Sequence, residues 1–223
     1  MVNPDADATT EPASRQVSRS DGETWFGHPR QLARLFSTEA MERFGFYGMR
    51  ALLTLYLAQH FLFNDQTTNG LYGGFTALVY LTPLVGGLLA DRYLGSKKSV
   101  KFGAILMSIG YLTLCFGGPT AKPYAMIDNA RYEVVIDDAK QQFVVDSNRQ
   151  LAIKGREDGS VDLVAPDGSV ARTVAKGGFK ADADRDDFYT MLMLVALTMV
   201  TVGNGFFKPN ISTIVGALYE QGD

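Results

Sequence analysis

A small set of ionisable residues stands in otherwise apolar surroundings, and these are the residues of the sequence best suited to do chemistry. They are Glu39, Glu42, Arg43 and Arg50 in "STEAMERFGFYGMR", and Lys208 in "GNGFFKPNIS". In an apolar site a carboxylate can change between its charged and neutral forms by binding a proton, while arginine and lysine can hold an anionic group. The residue types therefore point to proton uptake by acids beside anion binding by bases.

The spacing of the charges in the first segment places them on one face of a helix. At about 100° per residue, the segment's four charges and Phe46 fall within a stripe about 100° wide, with Tyr47 at its margin. The opposite face has Met41, Phe44, Gly48, Ala51 and Leu52. Charges that face lipid cost several kcal/mol each, so we expect the stripe to face a bundle interior or a water-filled cavity.

Lys208 is expected to meet this stripe. Counted from the cytoplasmic helix ends, Arg43 lies about 17 Å and Lys208 about 18 Å into the membrane. A contact of Lys208 with Glu39 or Glu42 is therefore geometrically possible. Any one such pair could instead be structural. Buried ions are usually paired, and an ion pair can hold two helices together.

The distribution of charge predicts the elements that position these residues. No charge lies between Asp65 and Asp91 or between Lys101 and Lys122, and only Lys208 interrupts the run from Phe188 to Tyr219. Each run is at least as long as the roughly 20 residues that cross a bilayer as a helix. We predict four membrane helices, at about 32–63, 70–93, 100–118 and 188–219.

The basic residues predict the orientation of these helices. The link between the second and third helices contains Arg92, Lys97, Lys98 and Lys101, whereas the link between the first and second has no base. Positive residues stay on the cytoplasmic side. The amino terminus and the link at 91–101 should therefore be cytoplasmic, and the block between the third and fourth helices should lie outside.

Two polar segments complete the predicted organisation. Residues 1–28 are poor in apolar residues and predict a disordered cytoplasmic tail. Residues 119–187 contain alternating β-type runs separated by turn signals such as Asp158-Gly159, and they predict a small β-hairpin insert. The insert divides the helices at 29–118 from the segment at 188–223, which we expect to hold the fourth helix and a truncated end. The fold class is thus an all-α integral membrane protein of four transmembrane helices with a β insert, which is either a tolerated decoration or a docking module.

Three motifs resemble one transporter family. The signature Glu-x-x-Glu-Arg-Phe-x-Tyr-Tyr of the proton-dependent oligopeptide transporters is matched by Glu39, Glu42, Arg43, Phe44 and Tyr47, with Phe46 where the first tyrosine is usual. "GGLLADRYLGSKK" is similar to the Asp-Arg-x-x-Gly loop motif of the major facilitator superfamily, through Asp91, Arg92 and Gly95. "GNGFFKPNIS" resembles the family's glycine-rich segment through Lys208, and Tyr80 falls where the family has a substrate-contacting tyrosine.

The resemblance implies a function and a set of residue roles. It implies proton-coupled symport of di- and tripeptides by alternating access, with no catalytic residue. Arg43 and Lys208 would hold the peptide carboxylate, and Tyr47, Tyr80 and Arg50 would line the site. Glu39 and Glu42 would take part in proton coupling with Arg43 and Lys208.

The resemblance also implies partners and a location. The partners would be small peptides, the lipid bilayer and the carboxyl-terminal half of the same transporter, and the proton would be the coupling ion without any cofactor. The location would be the cell membrane, as in the bacterial inner membrane. Since the family has twelve or more helices in two halves, we expect this chain to be an amino-terminal fragment that holds one wall of the binding site.

Two other functions stay open and three are disfavoured by the sequence. A superfamily relative that moves another anion, such as nitrate, a sugar phosphate or a drug-like acid, stays open, as does a membrane-anchored docking protein that works through the insert. The net charge of −3 without a basic patch argues against a nucleic-acid partner. The histidines, His28 and His60, have no partners at metal-ligand spacing, and no nucleophile–base constellation suggests hydrolysis.

Overall fold

The computed structural model describes residues 24–25, 28–137, 139, 141–147 and 149–219. The predicted disordered tail therefore lies almost entirely outside the described residues. A short antiparallel pair, β1 (Thr24–Trp25) and β2 (His28–Pro29), precedes the helices. The helices are α1 (Arg30–Leu55), α2 (Asp65–Leu89), α3 (Ser96–Leu114) and α4 (Asp187–Gly216). A π-helical turn extends α1 over Tyr56–His60, and another extends α2 over Ala90–Leu94.

Local sequence signals set the helix ends. The Asn64 side chain accepts a hydrogen bond from the Thr67 amide at 2.8 Å and so caps α2 five residues or so before the predicted start. Asp186 caps α4 in the same way through the Phe188 amide at 2.9 Å. Gly95, with a φ of 73°, separates the π-helical turn after α2 from α3. Only glycine adopts this left-handed conformation readily, so α3 begins at once after it.

The fourth helix lies at the centre of the bundle and packs on both α2 and α3. A Cβ atom on Gly103 of α3 would lie 2.5 Å from the carbonyl oxygen of Gly203, and a Cβ on Gly205 would lie 2.8 Å from Thr82 of α2. Glycines on two sides of α4 therefore let the backbones of two neighbouring helices approach closely, as small residues do in membrane bundles.

Two of the helical segments are long and apolar enough to cross a membrane by themselves. Within the described residues these are Asp65–Leu94 and Asp187–Gly216. The prediction of four membrane helices is thus not confirmed by length and composition alone, although four long helices are present. The first helix contains the charged stripe and the third begins with a lysine-rich turn, which lowers the mean hydropathy of both.

The insert is a seven-stranded antiparallel sheet, which corrects the predicted fold class. Its strand order is β8-β7-β6-β5-β4-β3-β9. The strands are β3 (Lys122–Ile127), β4 (Ala130–Ile136), β5 (Gln142–Asp146), β6 (Arg149–Gly155), β7 (Val161–Val164), β8 (Val170–Val174) and β9 (Phe179–Asp184). The all-α part of the predicted fold class is therefore not confirmed, whereas the predicted β-hairpin insert between the third and fourth helices is present and is larger than a small module.

The sheet curls on itself. Strands β8 and β9 lie at opposite edges, yet only residues 175–178 join them. Because so few residues span a short distance, the two edges must approach each other. An ion pair between Arg172 and Asp128 connects the edge strand β8 to the end of β3, on the other side of the sheet. The curl buries Ala125, Val144 and Val174 on the inner face and gives the insert an apolar core of its own.

Arg185 fixes the insert to the helices. Its Nε donates to the Phe61 carbonyl and its Nη2 to the Leu62 carbonyl, both at 2.7 Å. At the other end of the insert, the Ala121 amide donates to the His60 carbonyl at 2.9 Å. Both ends of the insert are thus bound to the turn between α1 and α2, and a cavity of about 230 Å³ lies between this turn and the sheet.

Candidate functional site

The first helix places its charged stripe toward the other helices. Phe46, in the middle of the stripe, is buried and packs on Phe75 of α2, with ring centroids 6.3 Å apart. On the opposite face, Met41 and Phe44 are 74% and 81% exposed. The helix therefore presents the face with the acids and bases to α2 and α4, in the orientation that the spacing predicts.

Glu42 contacts the fourth helix through an asparagine. Asn204 Nδ2 donates to Glu42 Oε1 at 2.9 Å. Asn204 is fully buried, and its position between Gly203 and Gly205 is the place where α4 contacts α3 and α2 most closely. One carboxylate of the predicted site is thereby held at the centre of the bundle.

Arg43 pairs with Glu39 along the same helix. Its Nη2 lies 2.7 Å from Glu39 Oε1 and its Nε lies 3.1 Å from the same oxygen. The acid precedes the base by four residues, which is the favoured order on a helix. Both side chains are more than a third exposed, so this pair lies at the open side of the site.

Arg50 contacts the second helix. Its Nε donates to the Tyr72 hydroxyl at 2.5 Å, and its guanidinium lies 5.5 Å from the centre of the Tyr72 ring. Tyr80, two turns further along α2, interacts electrostatically with the same guanidinium. Tyr80 and Tyr47 remain exposed, at 69% and 53%. Arg50, Tyr72 and Tyr80 thus form a second polar group, while the ring of Tyr47 packs on that of Phe46.

Lys208 points at the first helix but pairs with neither glutamate. Its Nζ lies 5.7 Å from the centre of the Phe46 ring, a cation–π arrangement. Among the residues that the structure describes, no ion pair joins Lys208 to Glu39 or Glu42. The ion pair that depth alone made possible is therefore not formed, and Glu42 accepts from the Asn204 amide.

The predicted loop motif lies apart from this cluster. Asp91 and Arg92 belong to the π-helical turn after α2, and Gly95 follows it. The Arg92 guanidinium lies 5.6 Å from the centre of the Tyr93 ring. These residues shape the turn between α2 and α3 and are not brought to the faces that α1, α2 and α4 share.

Sequence reasoning missed Asn204, Tyr72 and Tyr111. Asn204 is a buried amide in an apolar helix, and such isolated polar residues in a membrane segment are themselves a signal of function. The Tyr111 hydroxyl of α3 is buried and interacts electrostatically with Glu42. Within the described ranges, no group of three or more His, Cys, Asp or Glu side chains could hold a metal ion.

Ionisable residues on a face shared between long apolar helices are typical of substrate and proton pathways in membrane transporters. Known proteins of this class are similar to the chain. It is 40% identical over 90 residues to "Peptide transporter family 1" of Drosophila melanogaster, covering 40% of this chain and 12% of that protein. It is 41% identical over 98 residues to "Peptide transporter YePEPT" of Yersinia enterocolitica, covering 42% of this chain and 19% of that protein.

Solved structures of peptide transporters are also similar to the chain. A crystal structure of a peptide transporter named POT, in complex with sulfate, matches 90% of this chain and 28% of its own length with a TM-score of 0.56 and 25% identity. No protein-family profile matches the chain. The resemblance drawn from the sequence is confirmed: proteins named peptide transporters and solved structures of POT peptide transporters are similar to the chain, which spans less than a third of their length. These relatives are membrane proteins, which supports a membrane location for this chain.

Proposed function

We propose that the chain is part of a transporter that moves di- and tripeptides together with protons across the cell membrane by alternating access. The observation that carries this proposal is the inward face of α1, on which Glu42 and Arg50 contact α4 and α2 while Lys208 points at the same face. The names of the relatives support peptides as the substrate. Because the chain covers a small part of each relative, it would supply one wall of the binding cavity.

The cations provide the peptide-binding side of this proposal. Within the described part of the chain neither Arg50 nor Lys208 forms an ion pair with a carboxylate: Arg50 contacts Tyr72, and Lys208 lies over Phe46 while interacting electrostatically with Glu42. A cation without an acidic partner in a membrane cavity can bind the carboxylate of a peptide. Arg43 would join them when its pair with Glu39 opens, and Tyr47 and Tyr80 would offer hydroxyl groups to the peptide backbone.

The two glutamates provide the proton-coupling side. Glu39 already neutralises Arg43, whereas Glu42 is held by a neutral amide. Protonation of Glu39 would weaken its pair with Arg43 and free the guanidinium for substrate. Protonation of Glu42 would remove a charge from the centre of the bundle. The proton is the only coupling ion in this proposal, and no cofactor takes part.

We propose that α1 and α3 also cross the membrane. Helix α1 has 26 residues and α3 has 19, which correspond to about 39 and 28 Å against a hydrocarbon core of about 30 Å. The charges of α1 from Glu39 to Arg50 lie on one face and need not meet lipid, and Arg30 and Arg34 stand in its first two turns, at the end expected in the cytoplasm. The lysines at the start of α3 would lie in the cytoplasm, and the sheet would lie on the opposite side of the membrane.

Uptake of a labelled dipeptide into proteoliposomes tests the proposal, with the protein expressed from its complete reading frame. We expect accumulation that requires an inward proton gradient. Lys208→Ala should reduce the apparent affinity about 10- to 100-fold, since a lost charged hydrogen bond costs about 1.5–3 kcal/mol. Glu42→Gln should retain exchange of dipeptide but lose accumulation against a gradient. Lys180→Ala and Glu133→Gln, on exposed strands of the sheet, are the matched controls.

Competing substrates distinguish this proposal from its alternatives. Nitrate, a sugar phosphate and a drug-like acid should neither be accumulated nor displace the dipeptide. Proton-driven uptake of one of these anions in place of the dipeptide would assign the site to another anionic substrate. Absence of uptake for every one of them, in correctly inserted protein, would contradict a transporter.

A further inference from the structure

Three helices bring polar groups together around Glu42, and two of these groups lack a partner. Glu42 of α1 accepts one hydrogen bond from Asn204 Nδ2 of α4. Asn204 Oδ1 and the hydroxyl of Tyr111 on α3 are buried, and neither has a hydrogen-bond partner in the described structure. Buried polar atoms are nearly always hydrogen-bonded. An unpartnered carbonyl oxygen on a fully buried side chain therefore calls for a physical reason.

The chemistry of an amide beside a carboxyl group supplies that reason. An ionised carboxylate can only accept hydrogen bonds, so it must face the Nδ2 donor of Asn204, and it has nothing to offer Oδ1. A protonated carboxyl group has one hydroxyl donor and still accepts through its other oxygen. The amide of Asn204 thus matches the neutral acid with two hydrogen bonds and the ionised acid with only one.

We propose that Asn204 is a positioning residue for the proton on Glu42. The inference rests on the proposed proton coupling, and it gives that coupling a structural readout. The proton binds to a carboxylate oxygen of Glu42 and then forms a hydrogen bond to Asn204 Oδ1, with no other covalent bond formed or broken. Asn204 Nδ2 continues to donate to the second oxygen. Proton uptake therefore adds a hydrogen bond between α1 and α4.

The surrounding charges explain why an amide is needed for this purpose. The groups that act on Glu42 are Lys208 of α4, Arg43 and Glu39 of α1 and the Tyr111 hydroxyl of α3. The two cations favour the ionised carboxylate, while Glu39 opposes it. A neutral partner with both a donor and an acceptor holds Glu42 in either state, so the helix contact survives the change of charge.

Infrared difference spectroscopy across a pH titration tests this inference on the full protein. The protonated Glu42 should give a carboxyl C=O band at the low wavenumber of a hydrogen-bonded acid, and Glu42→Gln should remove that band. Asn204→Leu should move the band to higher wavenumber, because the neutral acid loses its partner. Asn210→Leu is the matched control: Asn210 is also a buried asparagine of α4, but its amide donates to the Phe206 carbonyl of its own helix.

A second measurement keeps the test valid if Asn204→Leu does not fold. In wild-type protein with isotope-labelled asparagine, an amide C=O band should shift when the Glu42 band appears, and it should not shift in Glu42→Gln. Two results would overturn the inference. One is a Glu42 band with the same wavenumber in wild type and Asn204→Leu, and the other is an amide band that does not shift during the pH titration. The spectra report proton binding without transport, so a protein that shows these shifts but takes up no peptide would contradict only the proposed function.

Discussion

Glu42 and Lys208 use different kinds of partner, which separates two roles that one ion pair would have combined. The carboxylate is held by a neutral amide at 2.9 Å, and the ammonium lies over the ring of Phe46. A direct pair would neutralise both groups and leave neither for a proton or a substrate. We expect the observed arrangement to leave the acid free to bind a proton and the base free to bind an anion, as the proposed function requires.

A single carboxylate of the sheet, Asp162, allows a prediction about how the stability of the sheet depends on pH. Asp162 is buried, and its two oxygens accept from Thr173 Oγ1 and Arg156 Nε, both at 2.6 Å. The hydrogen bond from Thr173, followed by that from Arg156, holds the pKa of Asp162 below its ordinary value. Because the folded pKa is below the unfolded one, this contribution to stability is complete above the unfolded pKa of about 3.9. It is lost as pH falls through the folded value.

We therefore expect Asp162→Asn to weaken the sheet at neutral pH and to make its stability less dependent on acid. Amide hydrogen exchange of β6, β7 and β8 in the whole protein measures this effect. The loss of protection relative to wild type should be largest at pH 7 and should shrink as the pH falls below the unfolded pKa. Glu133→Gln, an exposed carboxyl group of β4, is the control. A loss of protection that is equal at all pH values would show that Asp162 stabilises the sheet through the shape of its side chain and not through its charge.

The sequence predicted the orientation of the charged stripe but not all of its contacts. The rotation per residue is a property of any α-helix, so the relative directions of Glu42, Phe46 and Arg50 follow from their spacing. Their partners depend on how the helices cross. Asn204 lies four residues, or about one turn, before Lys208, and only the crossing decides which of the two meets Glu42. The packing of α2 against α1 likewise decides that Tyr72 is the partner of Arg50.

At the scale of elements, the triplet Gly203-Asn204-Gly205 joins the bundle. Successive residues of a helix point in directions about 100° apart, and these three contact α3, α1 and α2 respectively. The glycines bring α3 and α2 close to α4 on either side of Asn204, whose amide contacts Glu42 of α1. Close packing of α4 thus determines the geometry of the proposed proton site.

Gly103→Ala tests this close packing. A Cβ there would lie 2.5 Å from the Gly203 carbonyl oxygen and 2.8 Å from the Phe207 amide nitrogen, so backbone atoms would have to move. Overpacking of this kind costs about 1–3 kcal/mol, and the midpoint of thermal unfolding in detergent should fall. Gly48→Ala is the control, since nothing lies within 4 Å of its Cβ position on the outer face of α1. An equal midpoint for both variants would show that α3 and α4 are not in close contact.

Local signals predicted the elements better than they predicted the fold class. The turn formers at Asp158-Gly159 and Asp167-Gly168 correctly indicated tight turns, and both glycines have a φ of 82°. Hairpins depend on neighbouring residues, so alternation and turns reveal them. The pairing of β9 with β3, which turns a set of hairpins into a curled sheet, joins residues far apart in sequence. No local pattern encodes that pairing.

At the scale of the whole molecule, the insert and the helices meet at a narrow junction. Lys122 and Asp184 are register partners in neighbouring strands, so the chain enters and leaves the sheet at almost the same point. Arg185, just outside the sheet, makes the contacts to the turn between α1 and α2. Because the sheet has its own core and a narrow junction, we expect that it can be removed without changing the path of the helices.

We expect a protein in which residues 123–183 are replaced by Asn-Gly to retain proton-driven dipeptide uptake. The two-residue turn suits antiparallel neighbours such as Lys122 and Asp184, while Ala121 and Arg185 continue to hold the carbonyl groups of the turn between α1 and α2. Arg185→Ala in the intact protein is the informative comparison, because it keeps the sheet but leaves two buried carbonyl groups without their donor, at about 1–3 kcal/mol each. It should lower the thermal midpoint more than the replacement does. If the replacement inserts normally in the membrane yet abolishes uptake, the sheet takes part in transport or in docking a partner, and the helices alone do not account for the function.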